Sequence, residues 1–293
     1  RLALALHHRP LGADQMKSAS AMSETAEITR RAKSNLAFAF LCVPRKRRAD
    51  LNTFYAFCRI VDDIADDTTR PTEEKQAALE TWKEALERSD HPGGSLQSEV
   101  VAMRDRHSID PDLMHEIIRG CESDLTPQRF GTWDDLQNYS YRVASTVGLI
   151  LLPLLGASGK ARDYAISLGH SLQLTNILRD IGEDLDNGLR IYLPLADLHR
   201  FQYTERDLMD RVHDDRFLAL MNFEAERAER LFEETMNLLP PADRRALRAA
   251  EVMRKIYHAL LKRMRDDQFR VFDRRYRISS FRKFSILLRQ FIC

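Results

Sequence analysis

The segment that decides the fold reads Asn176-Ile177-Leu178-Arg179-Asp180-Ile181-Gly182-Glu183-Asp184. Apolar residues recur around it in helical register, and the pattern predicts one long helix over residues 159–184. Asp180 and Asp184 are four residues apart, so on a helix their side chains lie on one face, roughly 6 Å from each other. A polar stripe on an otherwise apolar helix indicates a buried functional face, because an ordinary surface helix is polar over its whole outer side.

An earlier segment repeats this arrangement. Arg59-Ile60-Val61-Asp62-Asp63-Ile64-Ala65-Asp66 places Asp62 and Asp66 at the same spacing, on a helix predicted over residues 45–66. Four carboxylates aimed at one cavity repel each other unless a cation lies between them. Oxygen ligands without a His or Cys cluster suit Mg²⁺, and the neighbouring arginines suit phosphate oxygens. One such pair is usually a solvated helix face, but two pairs favour a metal–phosphate site.

Length and composition restrict the fold class. The chain has 293 residues with only 11 glycines and 10 prolines, which favours helix over sheet. We predict one all-α domain of roughly ten helices over residues 22–293, preceded by a leader or upstream translation product, expected to be disordered, over residues 1–21. Within this domain the sequence predicts an irregular segment over 185–203 and a long helix over 242–277.

Charge and cysteine usage exclude several classes of function. Lys plus Arg number 45 and Asp plus Glu number 44, so the overall charge gives no reason to expect a nucleic-acid partner. None of the 4 cysteines forms a C-x-x-C pair, which favours reduced thiols in a cytoplasmic protein. The longest nearly apolar run, over residues 147–157, is too short to span a bilayer.

Several segments together resemble the squalene/phytoene synthase family over about residues 30–290. They are residues 55–66, 139–148, 176–184, 190–194, 256–260 and 271–275. The resemblance implies an all-α class I isoprenoid-synthase fold, a single-domain helical bundle with a central cavity. It also implies head-to-head condensation of two prenyl diphosphates through a cyclopropyl diphosphate. Our first choice of donor is farnesyl diphosphate, giving presqualene diphosphate, squalene or dehydrosqualene; the alternative is phytoene from geranylgeranyl diphosphate.

The resemblance also implies roles for individual residues. The expected Mg²⁺ ligands are Asp62, Asp66, Asp180 and Asp184, assisted by Asn176. Tyr55 and Tyr139 are expected to line the ionisation site beside Arg179. The expected substrate-binding residues are Ser34, Arg59, Gln173, Asn176, Arg190 and Tyr192. Ser34 lies in Lys33-Ser34-Asn35-Leu36, where family members often have Ser-Lys-Ser-Phe, so its phosphate contact is the least secure of these roles.

The chemistry implied by the resemblance needs a cofactor and a dry cavity. Mg²⁺, with Mn²⁺ as a substitute, neutralises a departing diphosphate, and NADPH is required only if squalene is the final product. No glycine-rich dinucleotide motif is present, which does not exclude NADPH. Water would quench the allylic cation, so apolar residues must line the cavity. The candidates, each of which could equally be ordinary core, are Phe38, Phe40, Phe54, Phe57, Val143, Val147, Leu151 and Leu174.

The C-terminal segment is locally basic. Residues 251–293 contain 12 Lys or Arg and 4 acids, accompanied by apolar residues such as Phe281 and Phe284. A solvated helix pair packed on the core is the explanation we favour for this pattern, and peripheral association with an anionic membrane is the more specific alternative. We expect a cytoplasmic monomer or weak homodimer, peripheral at the membrane. His170 has no partner at ligand spacing and is interpreted as a satisfied histidine.

Two rival functions remain open at the level of the sequence. A non-catalytic helical scaffold or subunit would keep the acidic pairs as relics and release no diphosphate from any prenyl donor. A dinuclear metal hydrolase would require His ligands, and the sequence does not place them near the aspartates.

Overall fold

The computed structural model describes Thr25, residues 34–88 and residues 95–292, with side chains to residue 290. These residues contain helices, turns and loops and no β-strand. The α-helices are α1 (Asn35–Ala39), α2 (Arg45–Asp66), α3 (Thr72–Glu87), α4 (Leu96–Arg106), α5 (Pro111–Ser123), α6 (Trp133–Ser140), α7 (Thr146–Leu155), α8 (Arg162–Asp186), α9 (Leu195–Arg200), α10 (Glu205–Met209), α11 (Asp215–Leu238), α12 (Arg248–Asp266) and α13 (Ser280–Ile292). The predicted leader and residues 26–33 lie outside the described residues.

Helix α8, which carries the opening motif, lies at the centre of the fold. Its 25 residues span about 37 Å, and most of them are buried. It packs against α7, α11 and α12, and against the single π-helical turn Tyr141–Ser145 that joins α6 to α7. Gly169 permits this last contact, because a Cβ there would lie 2.5 Å from the Cα of Ser145. The predicted long helix is therefore confirmed, with α7, α11 and α12 packed around it.

The helix that carries the first acidic pair stands apart from α8. Helix α2 packs against α3, α4, α5 and α7, and α2 and α8 are not a packed pair. Their aspartates can therefore face each other only across intervening space. Among the described helices none is both long and apolar enough to cross a membrane.

Two predicted elements were wrong at their boundaries. The segment 185–203, predicted to be irregular, contains α9 (Leu195–Arg200), which begins directly after Pro194. The helix predicted over 242–277 ends at Asp266 instead. There Tyr276 turns the chain back: its hydroxyl donates to Asp267 (2.5 Å) and accepts from the N–H of Arg270 (3.0 Å). A side-chain contact across nine residues leaves no trace in a hydrophobic period, so the sequence pattern did not show it.

Candidate active site

The first acidic pair is buried at the C-terminal end of α2. Asp62 is 5% exposed and the side chain of Asp66 is 9% exposed. Arg59, expected to contact substrate, pairs here with Asp63, at 2.8 Å from Nε and 2.5 Å from Nη2. Burial raises the pKa of Asp63 to about 7, although the positive charge of Arg59 acts to lower it. The end of α2 therefore concentrates negative charge in a region with little water.

The second acidic pair is held by arginines from two parts of the chain. Arg179 donates two hydrogen bonds to the carboxylate of its neighbour Asp180, at 2.8 Å from Nε and 2.5 Å from Nη2. Arg275 approaches the same carboxylate at 3.1 Å and reaches Glu183 at 2.9 Å. Burial alone would lower the pKa of Arg179. The negative charge of the Asp180 carboxylate raises it by more, so the pKa of Arg179 lies above its ordinary value. The sequence motif gave no indication of Arg275 at this position.

Gly182 explains how Arg275 reaches the motif. A Cβ at this position would lie 2.6 Å from the carbonyl oxygen of Val271 and 3.3 Å from the Cα of Phe272. Only a residue without a side chain lets the segment after α12 cross α8 between the two aspartates. The glycine inside the opening motif is thus a packing requirement that brings a remote cation to the site.

Arg190 connects the two acidic pairs. After α8 the chain reverses through Gly188 (φ 91°) and Leu189 (φ 55°), both left-handed. The N–H of Arg190 then donates to the carbonyl of Asp184 at 3.0 Å, and its guanidinium donates to Asp66 at 2.7 Å. The two motifs, expected from the sequence to face one cavity, are therefore linked by one arginine residue, whose side chain binds Asp66 and whose backbone binds Asp184.

A buried carboxylate that sequence reasoning missed lies beside this arginine. Asp124 accepts hydrogen bonds from the hydroxyls of Tyr139 (2.7 Å) and Tyr192 (2.9 Å), and its carbonyl accepts from Arg190 (3.2 Å). Burial, followed by the charge of Asp124, raises the pKa of both tyrosines well above their ordinary value. Both phenols therefore remain protonated donors at any working pH.

Two predicted polar residues of α8, Gln173 and Asn176, continue the site towards the interior. They are 2% and 5% exposed. The Oδ1 of Asn176 has no hydrogen-bond partner among the described residues. Burial raises the pKa of Tyr257, whose hydroxyl is hydrogen-bonded by the side chains of Asn35 and Asn176. Tyr257 and Asn35 are further residues that the sequence analysis did not assign.

Two predicted residues occupy the inner edge of the site. Tyr55 is fully buried, with its ring 6.3 Å edge-on from that of Phe40. Ser34 caps α1: its hydroxyl accepts from the N–H of Ala37 at 3.0 Å. The cap gives Ser34 a role in forming the helix, beside the substrate contact expected for it.

The donor atoms fit a hard divalent cation, although the carboxylates are not gathered around one point. In the part of the chain that the structure describes, no three His, Cys, Asp or Glu side chains form a metal-holding group. Arginines neutralise Asp66 and Asp180 instead. Four buried carboxylates from two helices and the unpartnered Oδ1 of Asn176 are the hard oxygen donors that Mg²⁺ selects.

An apolar cleft continues the polar region along the same helix. It encloses ≈ 640 Å³, counting the part open to solvent. It is lined by Leu36, Phe40, Ala144, Val147, Gly148, Leu151, Leu152, Leu155, Tyr164, Ala165, Leu168, Gly169, Leu172, Leu247, Ala249, Ala250 and Met253. Of the apolar residues expected to line a cavity, Phe40, Val147 and Leu151 do so here, whereas Phe54 and Phe57 are fully buried core.

Helix α8 thus lines the apolar cleft with Ala165, Leu168 and Leu172, and it carries the polar residues of the site further along, between Gln173 and Asp184. The model of the family described as squalene/phytoene synthase matches residues 29–282. The chain belongs to the squalene/phytoene synthase family. Enzymes of this family condense two prenyl diphosphates head to head and use a divalent metal, Mg²⁺, with them. The chain is therefore a prenyltransferase, as predicted, and the scaffold and hydrolase alternatives are set aside.

Relatives with assigned names cover nearly the whole chain. The 15-cis-phytoene synthase of Synechocystis sp. is 34% identical over 91% of this chain and 84% of its own length. The 4,4'-diapophytoene synthase of Staphylococcus haemolyticus is 29% identical over 89% and 92%, respectively. A crystal structure of a dehydrosqualene synthase in complex with ligand superimposes with a TM-score of 0.81 at 28% identity, covering 92% of this chain and 95% of that one. The predicted all-α isoprenoid-synthase fold is confirmed.

Proposed function

We propose that this enzyme joins two molecules of geranylgeranyl diphosphate head to head to give phytoene, with Mg²⁺. The observation that carries the reaction class is that one helix, α8, both lines an apolar cleft and carries the arginine and aspartates of the second motif, which matches a prenyl tail and a diphosphate head. The C20 donor is favoured because the relative that is 34% identical is a phytoene synthase. This reverses the sequence-based first choice of farnesyl diphosphate.

Farnesyl diphosphate remains the second candidate donor. The diapophytoene synthase relative and the dehydrosqualene synthase structure favour it, at 29% and 28% identity. NADPH is needed only for a squalene product, and the proposed reaction does not use it.

We assign the metal and diphosphate contacts as follows. Asp62, Asp66, Asp180 and Asp184 are the proposed metal ligands, with Asn176 offering its unpartnered Oδ1. When bound, Mg²⁺ neutralises the charge that develops on the departing diphosphate. The cations proposed to hold that diphosphate are Arg59, Arg179, Arg190 and Arg275. Each arginine already binds a carboxylate, so substrate oxygens would replace carboxylate oxygens in existing charge-assisted hydrogen bonds.

The inner residues are proposed to protect the cation. The cleft excludes water from the prenyl chains, and the faces of Phe40 and Tyr55 can stabilise positive charge in the cation–π manner. The hydroxyls of Tyr139 and Tyr192 donate their protons in hydrogen bonds to Asp124, and these bonds orient the Asp124 carboxylate beside Arg190. Ser34 and Gln173 complete the polar lining in this proposal.

Product identification tests the proposal directly. The purified chain is incubated with geranylgeranyl or farnesyl diphosphate and Mg²⁺, with and without NADPH, and lipids are extracted for chromatography with mass detection. We expect phytoene from the C20 donor and a higher kcat/KM for it than for the C15 donor, without an effect of NADPH. A C30 product formed more efficiently than phytoene would reject the donor assignment while leaving the reaction class intact.

We further propose that the enzyme is cytoplasmic, acts at the surface of a membrane and is a monomer or weak homodimer. Its substrates and product carry long prenyl chains, which partition into lipid. Analytical ultracentrifugation at several concentrations measures self-association; a stable higher oligomer would contradict this assignment.

A further inference from the structure

We propose that α13 is a membrane-docking helix, with an exposed apolar stripe (Phe281, Phe284 and Leu288) and a basic pocket (Lys262, Arg263 and Arg282) that binds the headgroups of anionic phospholipids. The proposal rests on the proposed function, because it supposes lipid-like substrates. It goes further by naming the surface and the lipid chemistry that the surface recognises.

The apolar stripe is exposed and continuous. Phe281 is 86%, Phe284 51% and Leu288 47% exposed, and both exposed phenylalanines of the described residues lie on this helix. Their spacing of three and four residues puts them on one face of α13. Three neighbouring large apolar side chains on the surface do not stabilise a protein in water. A lipid interface would remove them from water, which is favourable.

The basic pocket lies where α12 meets the start of α13. Lys262, Arg263, Arg282 and Ser279 line it together with one acid, Asp266, so the charges at its rim sum to +2. Arg263 is held in place by donating to the carbonyl of Arg277 at 2.5 Å. After Asp273 the chain carries six basic residues and no acid. This arrangement provides hydroxyl and cationic donors for a phosphate next to an apolar stripe.

The other face of α13 packs against the body of the protein. Leu287 is buried, and α13 packs against α12. Helix α13 therefore presents three apolar side chains outward while its opposite face is anchored on α12.

Charge complementarity selects the lipid over other occupants. A second copy of this helix would bring two acid-free basic surfaces together, which is unfavourable. A free phosphate would account for the pocket and leave Phe281 and Phe284 unexplained. An anionic bilayer satisfies the stripe and the pocket together.

Vesicle co-sedimentation tests the proposal without needing turnover. The full chain is spun with vesicles of phosphatidylcholine alone or with one third phosphatidylglycerol. We expect binding to the anionic vesicles, weakened by high salt. The variant Phe281→Ser/Phe284→Ser should bind about tenfold or more weakly. A second variant, Lys262→Gln/Arg263→Gln/Arg282→Gln, should bind anionic vesicles more weakly, with a loss of affinity of about fivefold for each cation removed. Its binding to neutral vesicles should not change. Met236→Ser, at an exposed apolar position on α11, is the matched control and should bind like the wild type.

The outcomes separate the possible occupants. Equal binding of all variants, or no vesicle binding by the wild type, overturns the proposal. Loss of self-association in the phenylalanine variant, without an effect on vesicles, would assign the stripe to a second copy and also overturn it. Inorganic phosphate at millimolar concentration that abolishes binding to neutral and anionic vesicles alike would assign the pocket to a free anion. Circular dichroism confirms that each variant is folded, and vesicle binding by an enzyme that makes no phytoene would retain this proposal while rejecting the proposed donor.

Discussion

The guanidinium of Arg190 lies 2.7 Å from the carboxylate of Asp66, although 124 residues separate them in the chain. The same arginine holds the end of α8 through its backbone, at the carbonyl of Asp184. In the absence of metal it is thus a counter-ion for one acidic motif and part of the turn that follows the other. A metal ion bound at the proposed ligand Asp66 would take over the first of these functions, so the effect of replacing Arg190 should depend on metal.

We expect Arg190→Gln to destabilise the metal-free protein by about 3 kcal/mol, because Asp66 is left buried without its guanidinium. Saturating Mg²⁺ should restore much of this loss, since the ion neutralises the same carboxylate. Thermal unfolding with EDTA or with Mg²⁺ measures both quantities. Arg211→Gln, which breaks the exposed pair with Asp186, is the control and should cost about 1 kcal/mol or less. Equal losses for the two variants in EDTA would contradict this expectation.

We expect Asp180→Asn to reduce turnover by about 10²–10³-fold or more, because the substitution removes a proposed metal ligand that neutralises charge in the transition state. Release of diphosphate from either prenyl donor measures the rate, and far-ultraviolet circular dichroism checks that the helices persist. Asp186→Asn makes the same chemical change on the same helix at an exposed position. Full activity of the Asp180 variant would reject the proposed mechanism.

The shared carboxylate of Asp124 predicts coupling between two tyrosines. Tyr139→Phe and Tyr192→Phe should each lower the free energy of unfolding by about 1–2 kcal/mol. The double variant should cost more than the sum, since Asp124 then loses both phenolic donors at once. Urea denaturation of the four proteins gives the coupling energy. Additive losses would show that the two hydrogen bonds act independently.

Local spacing was sufficient to find the acidic half of the site. Asp62, Asp180 and Asp184 are buried on the predicted helices, and the side chain of Asp66 is 9% exposed. The spacing could show this because residues four apart on a helix share one face. Their catalytic roles stay predictions that the variants above test.

The partners of those aspartates could not be predicted from the sequence. Arg275 reaches Asp180 only because the chain leaves α12 early and crosses α8 at Gly182. Asp124 follows the end of α5 in Cys121-Glu122-Ser123-Asp124, which resembles any polar helix terminus. Both contacts depend on how distant segments pack. The sequence around Arg275 and around Asp124 therefore shows no spacing pattern that would predict them.

Burial of His170 predicts a pH-dependent loss of stability. Its Nδ1 lies 3.1 Å from the hydroxyl of Ser140, which confirms the interpretation as a satisfied histidine, and burial lowers the pKa of His170 from 6.5 to about 4. Between these values the unfolded chain binds more protons than the folded one, so stability is fully present above pH 6.5 and falls as pH decreases towards 4.

The difference of about 2.5 pKa units corresponds to at most about 3 kcal/mol. His170→Asn should remove this contribution, and its free energy of unfolding should therefore change less than that of the wild type between pH 7 and pH 4. The comparison between variants cancels the carboxylates that titrate in the same range. His199→Asn, at an exposed position, is the control. Parallel profiles for wild type and His170→Asn would contradict the assignment.

The apolar cleft predicts a change in donor preference when it is filled. Ala250 on α12 lines the cleft together with Ala249 and Met253. Leucine at position 250 would occupy space that the longer prenyl chain needs first, so kcat/KM for geranylgeranyl diphosphate should fall about tenfold relative to farnesyl diphosphate. Ala77→Leu adds the same side chain at an exposed position of α3 and should leave the ratio unchanged. Competition between the two donors in one reaction measures the ratio without depending on the amount of active enzyme. A fall in both rates at constant ratio would mean that the prenyl tails do not enter this cleft, because only a tail-length contact distinguishes donors that share the same diphosphate.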